Sequence, residues 1–360
     1  MRLLASISRH GYGHLAQTAP VLNRLTELRP DVRLIVRSAL PHDRLAARIH
    51  APFEHLPAAV DCGFPMRDAI RVDVPATLAA YREFHGDWER RVLAESRLLE
   101  SLDVRAVLSN VAYLQLAAAS KAGLPSVAMC SLNWADIFAH YFVEDLRGDA
   151  ELRGWLAQMR SAYGLATTFL RPAPAMPMAD LPNRLAIPPI AARGRAQADS
   201  LRWRLSVTGG QRLVVIGMGG IGYRPPMEDW PVAEDIVWLV PDEWGVERSD
   251  ARPFSAAGLS FIDLLASCDA LITKPGYGSF VEAAMHGLPV LYLPRQDWPE
   301  SPVLEDWLLA HTRAAPVEEA TLARGDLAEP LRALWNEAAP PPPRADGAEA
   351  AARYLSELLG

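Results

Sequence analysis

The segment FIDLLASCDALITKPGYGSFVEAAMHGLPVLYLPRQDWPESP, Phe261 to Pro302, carries the densest pattern in the chain. Its spacing predicts a short helix over 262–267 and an apolar strand over 270–273. A turn at 274–279, Lys-Pro-Gly-Tyr-Gly-Ser, then opens a second helix. Gly276 and Gly278, on either side of Tyr277, permit backbone angles closed to other residues. Ser279 is a favoured N-cap, and the free N–H groups of the helix's first turn form an anion site. Glu282 falls one turn further on, where a carboxylate reaches a ribose diol beside bound phosphates. Gly287 ends the helix, and residues 289–293 read as the next buried strand. Strand, glycine turn, helix, acid and strand in this order point to a nucleoside diphosphate site.

Outward from this segment the same alternation continues. Strands are expected over 3–8, 32–38, 53–58, 106–109, 126–130, 213–216 and 236–240. Helices are expected over 14–28, 45–49, 75–101, 114–122, 134–142, 196–205 and 348–359. Short apolar strands separated by helices imply parallel sheets covered on both faces. Residues 172–190 are proline-rich and aperiodic, which reads as an interdomain connection. The expected layout is a first domain over 1–180, a linker over 181–192, a second domain over 193–345 and a terminal helix over 346–360. The fold class is α/β, two doubly wound domains facing across a cleft, with no internal repeat.

At 360 residues the chain is long enough for two such domains. Its longest apolar runs fall short of the roughly 20 residues a membrane helix needs, and MRLLASIS reads as a strand rather than a leader. Cys62, Cys130 and Cys268 have no metal spacing and suggest a reducing, cytoplasmic setting. A net charge of −7 argues against general nucleic-acid binding.

The first strand leads into Ser8-Arg9-His10-Gly11-Tyr12-Gly13-His14. In an open parallel sheet this turn lies at the carboxyl ends of the strands, where ligands bind. Gly11 and Gly13 let the backbone approach a ligand, and His10 stands on the same acceptor-side turn. His14 sits at the start of the helix, whose dipole disfavours an imidazolium and keeps it able to accept a proton. Capping of the helix is the structural alternative for either histidine. The turn is not a dinucleotide fingerprint: a third glycine is missing, and Val36-Arg37-Ser38 stands where an acid belongs. No P-loop occurs. Lys274 would neutralise phosphate or face solvent, Arg295 would meet an anion or a structural carboxylate, and Trp134 would serve the core or a sugar.

At these residues the chain resembles the GT-B glycosyltransferases, in particular the glycosyltransferase-like N-terminal region of plant L-arabinokinases. The likeness lies in His10-Gly-Tyr-Gly-His14, in SNVAYLQLAAASKAGLPSVAMC (109–130) with Asn133-Trp134, and in SCDALITKPGYGSFVEA (267–283). It continues through Pro294-Arg295 and Glu300-x-Pro302, covering most of residues 1–312, while the kinase half of those proteins has no counterpart. More distantly the chain is similar to UDP-glycosyltransferases and to the lipid II-forming N-acetylglucosaminyltransferases. That second resemblance implies Glu282 on a ribose, the Phe261-Ile262 backbone at a base edge, and Gly219 and Gly220 of the 217–222 loop near a diphosphate. It implies Gln296, Asp297 and Glu300 on the donor sugar and His14 as catalytic base. QDWPES replaces the adjacent glutamines of that family, and Asn110 stands where plant arabinokinases carry Asp.

The function these readings imply is transfer of a sugar from a UDP-sugar to a hydroxyl acceptor. Small molecules are the only partners implied. No cofactor or metal is implied, since no D-x-D motif or ligand cluster occurs. A nucleotide-sugar 2-epimerase or hydrolase, or a non-catalytic sugar-nucleotide binder, remains open on the same residues.

Overall fold

A computed structural model describes residues 1–360. Seven strands build the first sheet: β1 (Arg2–Ile7), β2 (Arg33–Arg37), β3 (Phe53–Leu56), β4 (Ala106–Asn110), β5 (Ser126–Met129), β6 (Thr168–Pro172) and β7 (Arg184–Ile187). Six build the second: β8 (Arg212–Ile216), β9 (Ile236–Val240), β10 (Ala251–Pro253), β11 (Ala270–Thr273), β12 (Val290–Tyr292) and β13 (Ala314–Pro316). The spatial orders are β3-β2-β1-β4-β5-β6-β7 and β10-β9-β8-β11-β12-β13, with every pairing parallel. The central strands β4, β9 and β11 are buried at every residue, as helices on both faces of a parallel sheet require.

Strand order reverses between β1 and β4 in the first domain and between β8 and β11 in the second. Such switch points open a crevice at the carboxyl ends of the strands. The turns at 8–13 and 274–276 and the loop at 217–222 therefore sit where ligand sites are built. The linker expectation needs correction. Residues 184–187 form the edge strand β7, which pairs with β6 from Phe169↔Arg184 to Pro172↔Ile187. Proline is tolerated at the end of an edge strand, and this is how the prolines hid it. The chain crosses to the second domain only after Ile187. The 75–101 pattern is two helices, Val74–Gly86 and Trp88–Ser101, broken at Asp87.

The terminal helix, Gly347–Leu359, returns to the first domain and lies on the Gly13–Leu28 helix. Arg24 pairs with Glu349 there, and the Arg29 guanidinium donates to the Ser356 carbonyl at 3.2 Å. The Tyr277–Met285 helix also packs on Gly13–Leu28. Gly278 makes that approach possible, because a Cβ there would fall 2.7 Å from the Ala16 Cβ. The Tyr277 hydroxyl accepts from the Ile190 N–H at 2.9 Å and donates to the Ala173 carbonyl at 3.0 Å, pinning the crossing.

Two further elements fill the space between domains. Trp298, after β12, is buried in the first domain's aromatic core with Phe64, Trp134 and Tyr141. In the opposite direction, the loop between β3 and the Val74–Gly86 helix folds back through a Met66–Val72 bridge and buries Ala69 in the second domain's core. Arg71 of that loop pairs with Glu319.

The Gly278 contact makes a prediction whose sign is informative. Alanine is the better helix former by about 1 kcal/mol, yet Gly278→Ala is expected to cost about 1–3 kcal/mol through overpacking. Ala16→Gly in the same chain should recover part of that loss. Urea midpoints measure both, and a neutral or stabilising Gly278→Ala would contradict the packing.

Candidate active site between the domains

The first turn delivers His14 into the interior. Ile7 of β1 pairs with Asn110 of β4, and Ser8 N–H donates to the Asn110 carbonyl at 2.9 Å. In the first turn of the helix that follows, His14 is 4% exposed, and its Nδ1 lies 2.9 Å from Asn110 Oδ1. Asn110 Nδ2 donates to Gln17 Oε1 at 3.2 Å and toward the His14 carbonyl at 3.4 Å. Its Oδ1 is thus the acceptor, the proton sits on Nδ1, and Nε2 keeps its lone pair. Burial pushes the His14 pKa down to about 4, partly opposed by the Asn110 bond. Burial is thus what holds the ring neutral.

A buried hydrogen-bond chain continues from Asn110 across the domain boundary. Gln17 Nε2 donates to Ser131 Oγ at 2.7 Å, and Ser131 Oγ donates to Glu300 Oε1 at 2.5 Å. Glu300 Oε2 accepts from Trp298 Nε1 at 3.2 Å. His10 lies over Trp298 with ring centroids 5.6 Å apart and meets the edge of Trp134 at 5.2 Å. Its Nδ1 accepts from the Phe64 N–H at 3.3 Å. Beside it Asp61 accepts from Ser8 Oγ at 3.0 Å and Trp134 Nε1 at 2.8 Å, and burial raises its pKa to about 6.

From the second domain, Gly276 caps the Tyr277–Met285 helix and Lys274 precedes it. The N-cap is therefore Gly276, three residues before the expected Ser279, which lies inside the first turn. Burial, then Arg295, lowers the Lys274 pKa to about 7 against the opposing pull of Glu300. The Lys274 ammonium meets only the Pro275 carbonyl, at 3.4 Å. A Cβ on Gly219 would lie 3.9 Å from Lys274 Nζ, and one on Gly276 3.6 Å, so the cation stands between the two glycine turns. Gly219 has φ of +80°, and a Cβ on Gly220 would fall 3.0 Å from the Tyr12 ring. Tyr12 lies between Gly11 and Gly13, so the first-domain turn faces the second-domain loop directly.

Several expected contacts are made by other groups. Glu282 is buried, and Arg48 Nη2 of the first domain donates to its two carboxylate oxygens at 2.9 and 3.2 Å. Its pKa is raised by burial and pulled back by Arg48; in this arrangement the carboxylate expected on a ribose joins the two domains. Gly278 lies at the contact with Ala16, and Tyr277 pins the crossing. Glu300, expected on a sugar, has both oxygens engaged by Ser131 and Trp298. Gln296 and Asp297 are exposed. The Phe261 ring lies against Gly217, where a Cβ would fall 2.9 Å from it. The Ile262 carbonyl faces Gly194, where a Cβ would fall 2.2 Å away. Trp134 belongs to the aromatic core and borders both histidines.

Parallel-stranded domains with glycine turns facing each other at both switch points define the GT-B fold of glycosyltransferases. No protein-family model matches the chain. Among curated proteins it is similar to the L-arabinokinase of Arabidopsis thaliana, at 24% identity over 314 residues. The match covers 84% of this chain and 29% of that protein, so the chain spans less than a third of the relative's length. Among solved structures, a glycotransferase of kitacinnamycin matches with a TM-score of 0.65 at 15% identity, covering 100% of this chain and 96% of that one. The glycosyltransferase VinC in complex with dTDP matches with a TM-score of 0.56 at 18% identity, covering 100% and 95%. UGT2 of Phytolacca americana, complexed with UDP-2fluoro-glucose and pterostilbene, matches at 0.57 and 13% identity, covering 99% and 94%.

The Asn110 contact is testable by titration. His14 should stay neutral until the pH falls toward about 4. In Asn110→Asp a carboxylate on Nδ1 would favour the imidazolium, raising that pKa by about one unit or more. Carbon-detected NMR of the imidazole follows both proteins, and an unmoved titration would contradict the pairing.

Proposed function

We propose that the chain is a glycosyltransferase that moves a sugar from a UDP-sugar to a hydroxyl acceptor without a metal ion. The observation that carries this reading is the meeting of two glycine turns around Lys274, a lysine with no ion-pair partner, while His14 of the facing turn keeps Nε2 unengaged. A diphosphate would lie between Gly219-Gly220 and the turn through Gly276, its charge met by Lys274 and the first-turn amides of the Tyr277–Met285 helix.

In this mechanism the acceptor oxygen attacks the anomeric carbon as its proton passes to His14 Nε2, and the bond to the UDP oxygen breaks. Lys274 and the amides stabilise the departing diphosphate, which is the work a metal would otherwise do. Because His14 titrates near 4, it is in its basic form from about pH 5 upward, and acid loss of this step begins only below that. The imidazolium formed meets an amide rather than a carboxylate at Asn110, which makes His14 a weak base. That same amide favours a second reading, a sugar-nucleotide binder with little or no turnover.

Binding and turnover separate these readings. UDP should raise the melting temperature, and Lys274→Met should weaken UDP binding by about tenfold or more. A wild-type protein with no thermal response to UDP would sink both. Release of UDP from a UDP-sugar in the presence of hydroxyl acceptors, abolished by His14→Ala, supports the transferase. Tight UDP binding with no release under any acceptor supports the binder.

A further inference from the structure

We propose that Arg295 forms an anion subsite distinct from the diphosphate turn, taking a carboxylate or phosphate carried on the sugar or acceptor side of the bound molecules. This deepens the transferase reading and rests on it. Arg295 follows β12 and is 5% exposed. Its Nε is enclosed without a partner, and its one polar contact is Nη2 to Met66 Sδ at 3.5 Å, a weak acceptor. The guanidinium lies 3.9 Å from the centroid of the Trp298 ring, which fixes its plane but satisfies none of its N–H donors.

Arg37, Arg48, Arg91 and Arg313 also enclose one unpartnered nitrogen, but Arg37 and Arg48 are ion-paired, to Glu95 and Glu282. Arg248, half-buried rather than enclosed, spends its donors on both Asp250 oxygens and on the carbonyls of Met227, Trp230 and Pro231. Arg295 has no such company. Glu300 takes its hydrogen bonds from Ser131 and Trp298, and with Tyr141, Asp68 and Asp297 it acts on Arg295 only through space. Burial draws the Arg295 pKa down to about 10 against the pull of these groups, and Arg295 in turn adds to burial in lowering Lys274. A buried guanidinium left in this state is costly unless an anion completes it. Its fork matches a carboxylate or phosphate bidentately. Lys274 already stands between the glycine turns, whereas Arg295 touches the first-domain loop at Met66 and the ring that stacks on His10, which is the side of the sugar and acceptor.

The test compares the 360-residue chain with Arg295→Gln by isothermal titration, after melting curves establish that both fold. The probes are UDP, UDP-glucose, UDP-glucuronate, and inorganic phosphate with and without UDP. UDP should bind both proteins alike, while an anionic probe should bind Arg295→Gln about tenfold more weakly or worse. If the loss appears for UDP-glucuronate and not UDP-glucose, the anion belongs to the donor sugar; if for phosphate beside UDP, it belongs to the acceptor. Should Arg295→Gln fail to fold, Arg295→Lys, which keeps the charge and loses the fork, is read for the same ordering. A tenfold loss of UDP itself would assign Arg295 to the diphosphate and overturn the proposal, as would equal binding of every probe by both proteins. Failure of wild type to bind UDP counts against the transferase reading instead, and phosphate titrated alone then decides the subsite.

Discussion

One buried chain of hydrogen bonds, from Glu300 through Ser131, Gln17 and Asn110 to His14, runs from the second domain to the first turn of the first. Each member satisfies the next, so removing any one strands a buried polar group at a cost of about 1–3 kcal/mol. Because Glu300 belongs to the loop after β12, the orientation of His14 depends on the approach of the second domain. Trp298 makes that approach favourable by burying its ring in the first domain's core, and the same indole holds the second oxygen of Glu300. Apolar burial and polar satisfaction thus close the two halves together.

The charges on either side of this chain follow from the closure. Burial holds His14 neutral and draws Lys274 down toward 7, while Arg48 keeps the enclosed Glu282 paired. The result is a basic nitrogen on one turn, a partly titratable ammonium on the other, and an unsatisfied guanidinium between the Trp298 ring and the first-domain loop. Asn110 sets the limits of what His14 can do: it fixes the tautomer without offering a charge to an imidazolium.

The fold was legible because parallel strands buried on both faces read as apolar runs, and because glycines mark the turns where each sheet reverses. What escaped was information held at long range. The strand β7 was concealed by prolines that an edge strand accommodates. Glu282 was visible as an acid on a helix, but its partner Arg48 lies 234 positions away. Asp61 sits in a loop with no periodicity, and nothing local announces that it meets Ser8 and Trp134. Asn110 was noticed only as a departure from a related pattern, whereas strand pairing of β1 with β4 is what sets it against His14. Gln296 and Asp297, conspicuous as a polar cluster, face solvent; the quieter Arg295 beside them is the enclosed one.

The most direct test of this account is a crystal structure of the chain with UDP. The account predicts the diphosphate between the Gly219-Gly220 loop and the Gly276 turn, with Lys274 in contact and His14 still bonded to Asn110. UDP bound elsewhere on the surface, or a diphosphate held without Lys274 and away from both glycine turns, would contradict it.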